Sequence, residues 1–241
     1  MPTIGFVYPD HAAEDDYPLA ERMLGDGTAL PVEHIYGTDL HAVPELLDLG
    51  SPTRLSEGAA LLGKHTPDAV VWACTSGSFV YGWDGAAEQA AGLSEAAGGV
   101  PASSTSLAFV HAARALGLRT VAVAASYPDD VAELFADFLD HGGIDVVSAA
   151  AADIDTAAEV GELPPERVVE LAVSHDHPDA DALVVPDTAM RTLALVDEIE
   201  RRLGKPVLTA NQVTVWEGLQ IAGVTRTYDG LGTLLRTGGR R

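Results

Sequence analysis

The chain has a single cysteine, Cys74, so no disulfide can close within it and no multi-cysteine metal site can be assembled. Basic residues are also scarce, with 14 lysines and arginines against 36 aspartates and glutamates and a formal net charge of −22. Such a surface repels nucleic-acid phosphates and acidic membranes, and neither is expected as a partner. The acidity also fits a salt-adapted proteome or a well-solvated surface, and by itself it names no ligand. Any anionic substrate must therefore be held by local dipoles or donors. No apolar run approaches ~20 residues, and the opening MPTIGFVYPD lacks a basic stretch followed by an apolar one. A soluble, untargeted, cytoplasmic protein is expected. GKHTPD at Gly63 has neither the upstream glycine nor the strand of a phosphate-binding loop, and no G-x-G-x-x-G follows a strand. The G-x-S-x-G elbow of serine hydrolases is missing as well.

What is present is a 241-residue chain, 47% hydrophobic, long enough to bury one large α/β core or two similar ones. Short β-branched runs alternate with longer alanine- and leucine-rich stretches of helical period, the pattern of strand–helix units in a parallel sheet. Strands are predicted near 3–8, 32–37, 69–74, 100–104, 119–125, 145–150, 182–186 and 206–210. Helices are predicted at 52–64, 106–116, 129–141, 164–174, 191–203 and 212–222, with GLGTLLRTGGRR a short turn and a frayed basic tail.

The chain also repeats itself. DAVVWACT (Asp68 to Thr75) returns as DALVVPDT (Asp181 to Thr188), and TIGFVYPD (Thr3 to Asp10) returns as TVAVAASYPD (Thr120 to Asp129) with two extra residues. Thr105 and Ser106, at a strand-to-helix junction, are matched with Asn211 and Gln212. Chance similarity among alanine- and valine-rich strands is the competing explanation; duplication gives an α/β protein of two pseudo-symmetric lobes, 1–116 and 117–223, with 224–241 packing back on the first. Ligands of parallel sheets gather beyond the carboxyl ends of the strands, where both repeated motifs end, so Cys74 and Asp187 are expected on opposite walls of one cleft.

Cys74 precedes Thr75, Ser76, Gly77 and Ser78, a setting of hydroxyls and backbone N–H groups that can activate a thiol or bind a carboxylate; the plain alternative is an inert buried cysteine. Asp187, after the apolar strand ALVVP, reads equally as a general acid or base and as a helix N-cap. Tyr8 and Tyr127, each before Pro-Asp, can aim a hydroxyl into the cleft or serve as half-buried packing residues. HDHPDAD (His175 to Asp181) lies before a strand, at the wrong end for the cleft, and is read as a polar loop with no metal.

TIGFVYP, ACTSGSFVYG (Ala73 to Gly82), AASYPDDVAELFADFL (Ala124 to Leu139) and ERRLGKPVLTANQVTVWEGLQIAG (Glu200 to Gly223) together resemble the maleate isomerase and arylmalonate decarboxylase branch of the aspartate/glutamate racemase superfamily. The resemblance implies two Rossmann-like lobes with the active site between them, no metal or organic cofactor, a small carboxylate or dicarboxylate substrate and chemistry at the carbon beside the carboxylate. It favours a homo-oligomer. In such isomerases and racemases two cysteines face each other across the substrate; Cys74 matches the first, and Asp187 stands where the second is expected. The decarboxylases invert this, with a small residue first and the cysteine second, so the chain matches neither pattern fully. Thr75, Ser76, Tyr127 and the backbone around Asp187 and Thr188 match the family's carboxylate-binding donors. Asn211 resembles the isomerase branch, and Thr105 is its repeat partner. An isomerase or racemase is the leading expectation, a decarboxylase the second, and a non-catalytic carboxylate binder the third.

Overall fold

A computed structural model describes residues 1–238. The first half runs β1 (Ile4–Pro9), α1 (Asp16–Leu24), β2 (Val32–Ile35), α2 (Val43–Leu49), α3 (Pro52–Leu62), β3 (Ala69–Trp72), α4 (Ser76–Phe79), α5 (Gly82–Ala96), β4 (Ala102–Ser104) and α6 (Thr105–Leu116). The second runs β5 (Thr120–Ala125), α7 (Asp129–His141), β6 (Asp145–Ala151), α8 (Ala157–Gly161), α9 (Pro165–Ser174), β7 (Ala182–Val185), α10 (Val196–Leu203), β8 (Val207–Thr209), α11 (Ala210–Ile221) and α12 (Gly232–Thr237).

Each half builds a four-stranded parallel sheet, in the orders β2-β1-β3-β4 and β6-β5-β7-β8. The central strands AVVW and ALVV are wholly buried, as strands covered by helices on both faces must be. Identical strand order is what duplicated halves require. The registers sharpen the repeat: Val71 pairs with Ser103, and Val184 with Leu208, so Asn211 corresponds to Ser106 and not to Thr105. The shift of one arises because the N-caps Ser104 and Thr209 are the equivalent residues, each ending its strand in extended conformation.

The helix cover is exchanged between the halves. Helix α11, which follows β8, lies against β3 and β4 of the first sheet and beside α6. This fit depends on Gly218, where a methyl would stand 2.5 Å from Ile4 Cγ2. The predicted helix 191–203 starts only at Val196, because the N–H groups of Thr192 and Leu193 donate to Asp16 Oδ2 from α1, at 3.1 and 3.2 Å. The C-terminal segment also departs from expectation. It forms α12, packed on α10 and β8, where the Glu200 carboxylate accepts from Thr233 N–H and Oγ1, each at 2.9 Å. The stretch before α12 reaches the first half, where Tyr228 Oη and Arg226 Nη1 meet Asp26 at 2.7 and 3.0 Å. Residues 239–241 of the expected basic tail lie outside the described residues.

A latch closes the cleft from the other side. Leu40 and Thr156 form an antiparallel bridge, His41 N–H donates to the Asp155 carbonyl at 2.8 Å, and Ala157 N–H donates to the Asp39 carbonyl at 2.9 Å. Among the described residues no helix is long and apolar enough to cross a membrane.

Gly218→Ala should overpack the seam between α11 and the first sheet. Equilibrium denaturation should show a loss of about 1–3 kcal/mol despite the better helix propensity of alanine.

Candidate active site

Strands β3 and β7 are equivalent, and Cys74 and Asp187 each lie three residues beyond an equivalent valine, Val71 and Val184. Both side chains line one cavity between the halves. Its walls come from the end of β1 (Tyr8 to Ala12), the latch (Gly37 to His41), Leu46, Leu49, Ser76, Ala157, Thr188 and Ala189. Three aspartates, Asp10, Asp39 and Asp187, line it, and among the described residues no lysine or arginine does.

The Cys74 thiol is buried, with Gly77 N–H donating to Sγ at 3.3 Å and Ser76 Oγ at 3.8 Å. Gly77 allows this approach, since a methyl there would sit 3.2 Å from Sγ and 3.0 Å from the Trp72 ring. Burial pushes the thiol up to about 12, against the lowering by Gly77 N–H and the Ser76 hydroxyl, and the nearby Asp187 charge adds to the rise. At neutral pH Cys74 is therefore a protonated thiol.

Asp187 is 3% exposed. Ser126 Oγ donates to its Oδ2 in a short hydrogen bond, and Ala189 N–H donates to Oδ1 at 2.8 Å. The helix N-cap reading does not hold, because no helix begins near Ala189; Oδ1 instead fastens the turn after β7, and Oδ2 is the oxygen left for acid–base work. Opposite Oδ2, at 3.8 Å, stands Nε2 of His41, a residue the sequence analysis did not single out. The His41 Nδ1 lies 3.0 Å from the Ile154 carbonyl, which can only accept, so Nδ1 carries a proton and Nε2 turns to the carboxylate. The ring stands edge-on to Tyr127, centroids 5.0 Å apart. No sequence motif marks His41, because a loop of the first half brings it to a carboxylate of the second.

The remaining expected residues divide into two groups. Ser76 and Thr188 line the cavity, and buried Thr75 lies outside its lining, beside the Tyr127 phenol. Tyr8 lines the cavity too, but its hydroxyl donates to the Thr188 carbonyl at 2.8 Å and accepts from Ala13 N–H at 3.1 Å, which makes it a strut between the halves. The Tyr127 hydroxyl donates to the Pro186 carbonyl at 2.9 Å. Burial, then the charge of Asp187, pushes this phenol well above its ordinary value, so it keeps its proton.

Thr105 and Asn211 do not reach the cavity. Thr105 Oγ1 pairs with Thr214 Oγ1 at 2.6 Å, deep in the seam between α6 and α11. Asn211 Nδ2 contacts Asp16 Oδ2 at 3.0 Å and the Thr188 carbonyl at 3.2 Å, so it positions the turn that carries Asp187 instead of meeting a ligand. The HDHPDAD loop is fastened by Lys205, whose Nζ donates to the His177 and Ala180 carbonyls at 2.8 and 2.9 Å.

Two parallel α/β halves that place a thiol and a carboxylate at equivalent strand ends of one cavity define a two-lobed cleft architecture. The family model described as arylmalonate decarboxylase matches residues 51–235, and the chain belongs to that enzyme family. It is 30% identical over 233 residues to the arylmalonate decarboxylase of Bordetella bronchiseptica, covering 92% of this chain and 91% of the relative. It is 31% identical over 175 residues to the maleate isomerase of Nocardia farcinica, covering 70% of each. Among solved structures, a liganded arylmalonate decarboxylase double mutant, with glycine changed to cysteine and cysteine to serine, superposes with a TM-score of 0.88 at 28% identity, over 98% of this chain and 100% of that one. A cysteine-to-serine mutant of Nocardia farcinica maleate cis-trans isomerase, carrying a covalently bound succinylcysteine intermediate, superposes with a TM-score of 0.87 at 25% identity, over 98% of each chain.

A thiol held near 12 reacts slowly with alkylating agents at neutral pH, because the thiolate is the nucleophile. Iodoacetamide modification of the folded protein should accelerate about tenfold per pH unit from 7 upward, and unfolded protein should react far faster at pH 7. Rapid modification of the folded protein at pH 7 would show that the site activates Cys74 outright.

Proposed function

We propose that the protein is an isomerase or racemase that works without an organic cofactor at the carbon next to a carboxylate of a small mono- or dicarboxylic acid, in the manner of maleate isomerase. The observation that carries this reading is the pairing of Cys74 with Asp187 and His41 in one cavity, a proton donor from one half opposed by a carboxylate of the other. Removal of a proton from such a carbon builds an enediolate, and the Asp187–His41 pair is the group to accept that proton. The Cys74 thiol then supplies a proton to the other face. The thiolate left behind, with a conjugate acid near 12, is basic enough to run the reaction in reverse. Ser76 Oγ, which lines the cavity, is the donor suited to an enediolate oxygen, contributing about 3 kcal/mol in a dry site. For an unsaturated dicarboxylate the same thiol can add to the double bond, as the succinylcysteine of the Nocardia farcinica relative illustrates for that protein.

Decarboxylation of a substituted malonate is the second reading, supported by the family match and by the resting state of Cys74. There the thiol protonates the enediolate formed on loss of CO₂, giving one product enantiomer.

Proton NMR in D₂O against maleate, aspartate, glutamate, a hydantoin and phenylmalonate separates the two. Isomerisation or deuterium uptake is expected, falling by about 10²- to 10⁴-fold in Cys74→Ala and substantially in Asp187→Asn and His41→Gln. CO₂ release from phenylmalonate with one enantiomer formed would favour the decarboxylase, and full turnover by Cys74→Ala would refute both.

A further inference from the structure

At the rim of the cavity the β1–α1 loop and β2 bring together a second group of side chains that the chemistry above does not use. His11, Glu14 and His34 each present a ligand atom, and the three atoms lie within 4.8 Å of one another. The imidazole centroids of His11 and His34 are 4.1 Å apart with the rings tilted by 35°.

The surroundings prepare these groups to act as ligands. His34 lies on β2, and its Nδ1 makes a short hydrogen bond to the Asp10 carbonyl. A carbonyl only accepts, so Nδ1 carries the proton and Nε2 keeps its lone pair; a backbone carbonyl on the far nitrogen is also the usual way a metal-binding histidine is oriented. Asp10 reaches this position through a left-handed backbone, φ +43°, a conformation that costs energy outside glycine. Glu14 is held from two sides: its Oε2 accepts from Ala12 N–H at 2.9 Å, and its Oε1 lies 3.1 Å from His11 Nδ1.

We infer that His11, Glu14 and His34 form a binding site for a divalent transition-metal ion, of the zinc or cobalt type, at the mouth of the cavity. Two imidazoles and one carboxylate favour such ions over magnesium or calcium, which take oxygen ligands. Metal–ligand bonds of about 2.0–2.2 Å require the three atoms to draw closer, which rotation of the exposed His11 allows. His11 also lines the cavity, whose lining among the described residues includes Asp10, Asp39 and Asp187 but no lysine or arginine. The ion site stands on its own residues and holds whether or not the isomerase reading does.

The test is metal binding by the full-length protein, with no turnover involved. Chelator-treated protein is titrated with ZnCl₂ by calorimetry and with CoCl₂ by visible absorption. One ion per chain is expected, with the d–d bands of low-coordinate cobalt, and binding should weaken about tenfold or more in His34→Ala and Glu14→Gln. Should His34→Ala fail to fold, His11→Ala, at an exposed position, makes the same comparison. Absence of saturable one-to-one binding, or unchanged binding in the folded variants, overturns the proposal.

Discussion

The arrangement of the cavity depends on a buried polar junction where the two halves meet. The Thr188 carbonyl accepts from Tyr8 Oη of the first sheet and from Asn211 Nδ2 of α11, and Asn211 also binds Asp16 on α1. Asp16 in turn accepts the N–H groups of Thr192 and Leu193 beyond the turn. Removing any one member leaves a buried donor or acceptor without a partner, at a cost of about 1–3 kcal/mol or more for a charged group. The turn after β7 is therefore held from both sides, and with it the direction of Asp187. Burial is also the main reason the Asp16 carboxyl sits above its ordinary value, with its hydrogen-bond donors opposing the rise.

Electrostatics at the site follow from the same burial. A thiol pushed up to about 12 is a poor nucleophile at rest but a competent proton donor, and its thiolate is a strong base. Asp187, a few side chains away, contributes to that rise. The pair thus has opposite resting roles even though the two residues occupy equivalent places in a duplicated fold. Duplication supplies the symmetry of position, and the differing side chains break the symmetry of chemistry.

Much of this was legible in the sequence. All eight expected strands form, and the inner strands β1, β3, β5 and β7 were the plainest in sequence because burial on both faces leaves little compositional freedom. The repeat led to Cys74 and Asp187 together, since equivalent strand ends must fall on facing walls of one cleft. Less legible was which way a residue at a strand end points. Thr105 and Asn211 sit at such ends, yet Thr105 turns into the seam between α6 and α11 and Asn211 turns to Asp16 of α1 and the Thr188 carbonyl. His41 left no local signal because its role comes from a loop reaching across to the other half. Among the C-terminal residues, α12 was hidden by its glycines, and the Glu200 carboxylate that binds the start of α12 is distant in sequence.

The latch formed by residues 38–41 against 154–157 also bears on the site. It joins the halves through backbone hydrogen bonds at Leu40–Thr156, His41–Asp155 and Ala157–Asp39. Since His41 is part of the latch, an open cavity is also one whose Asp187 has lost its imidazole neighbour. The contact of His41 with Asp187 is therefore coupled to the integrity of that backbone bridge, and a change that loosens one loosens the other.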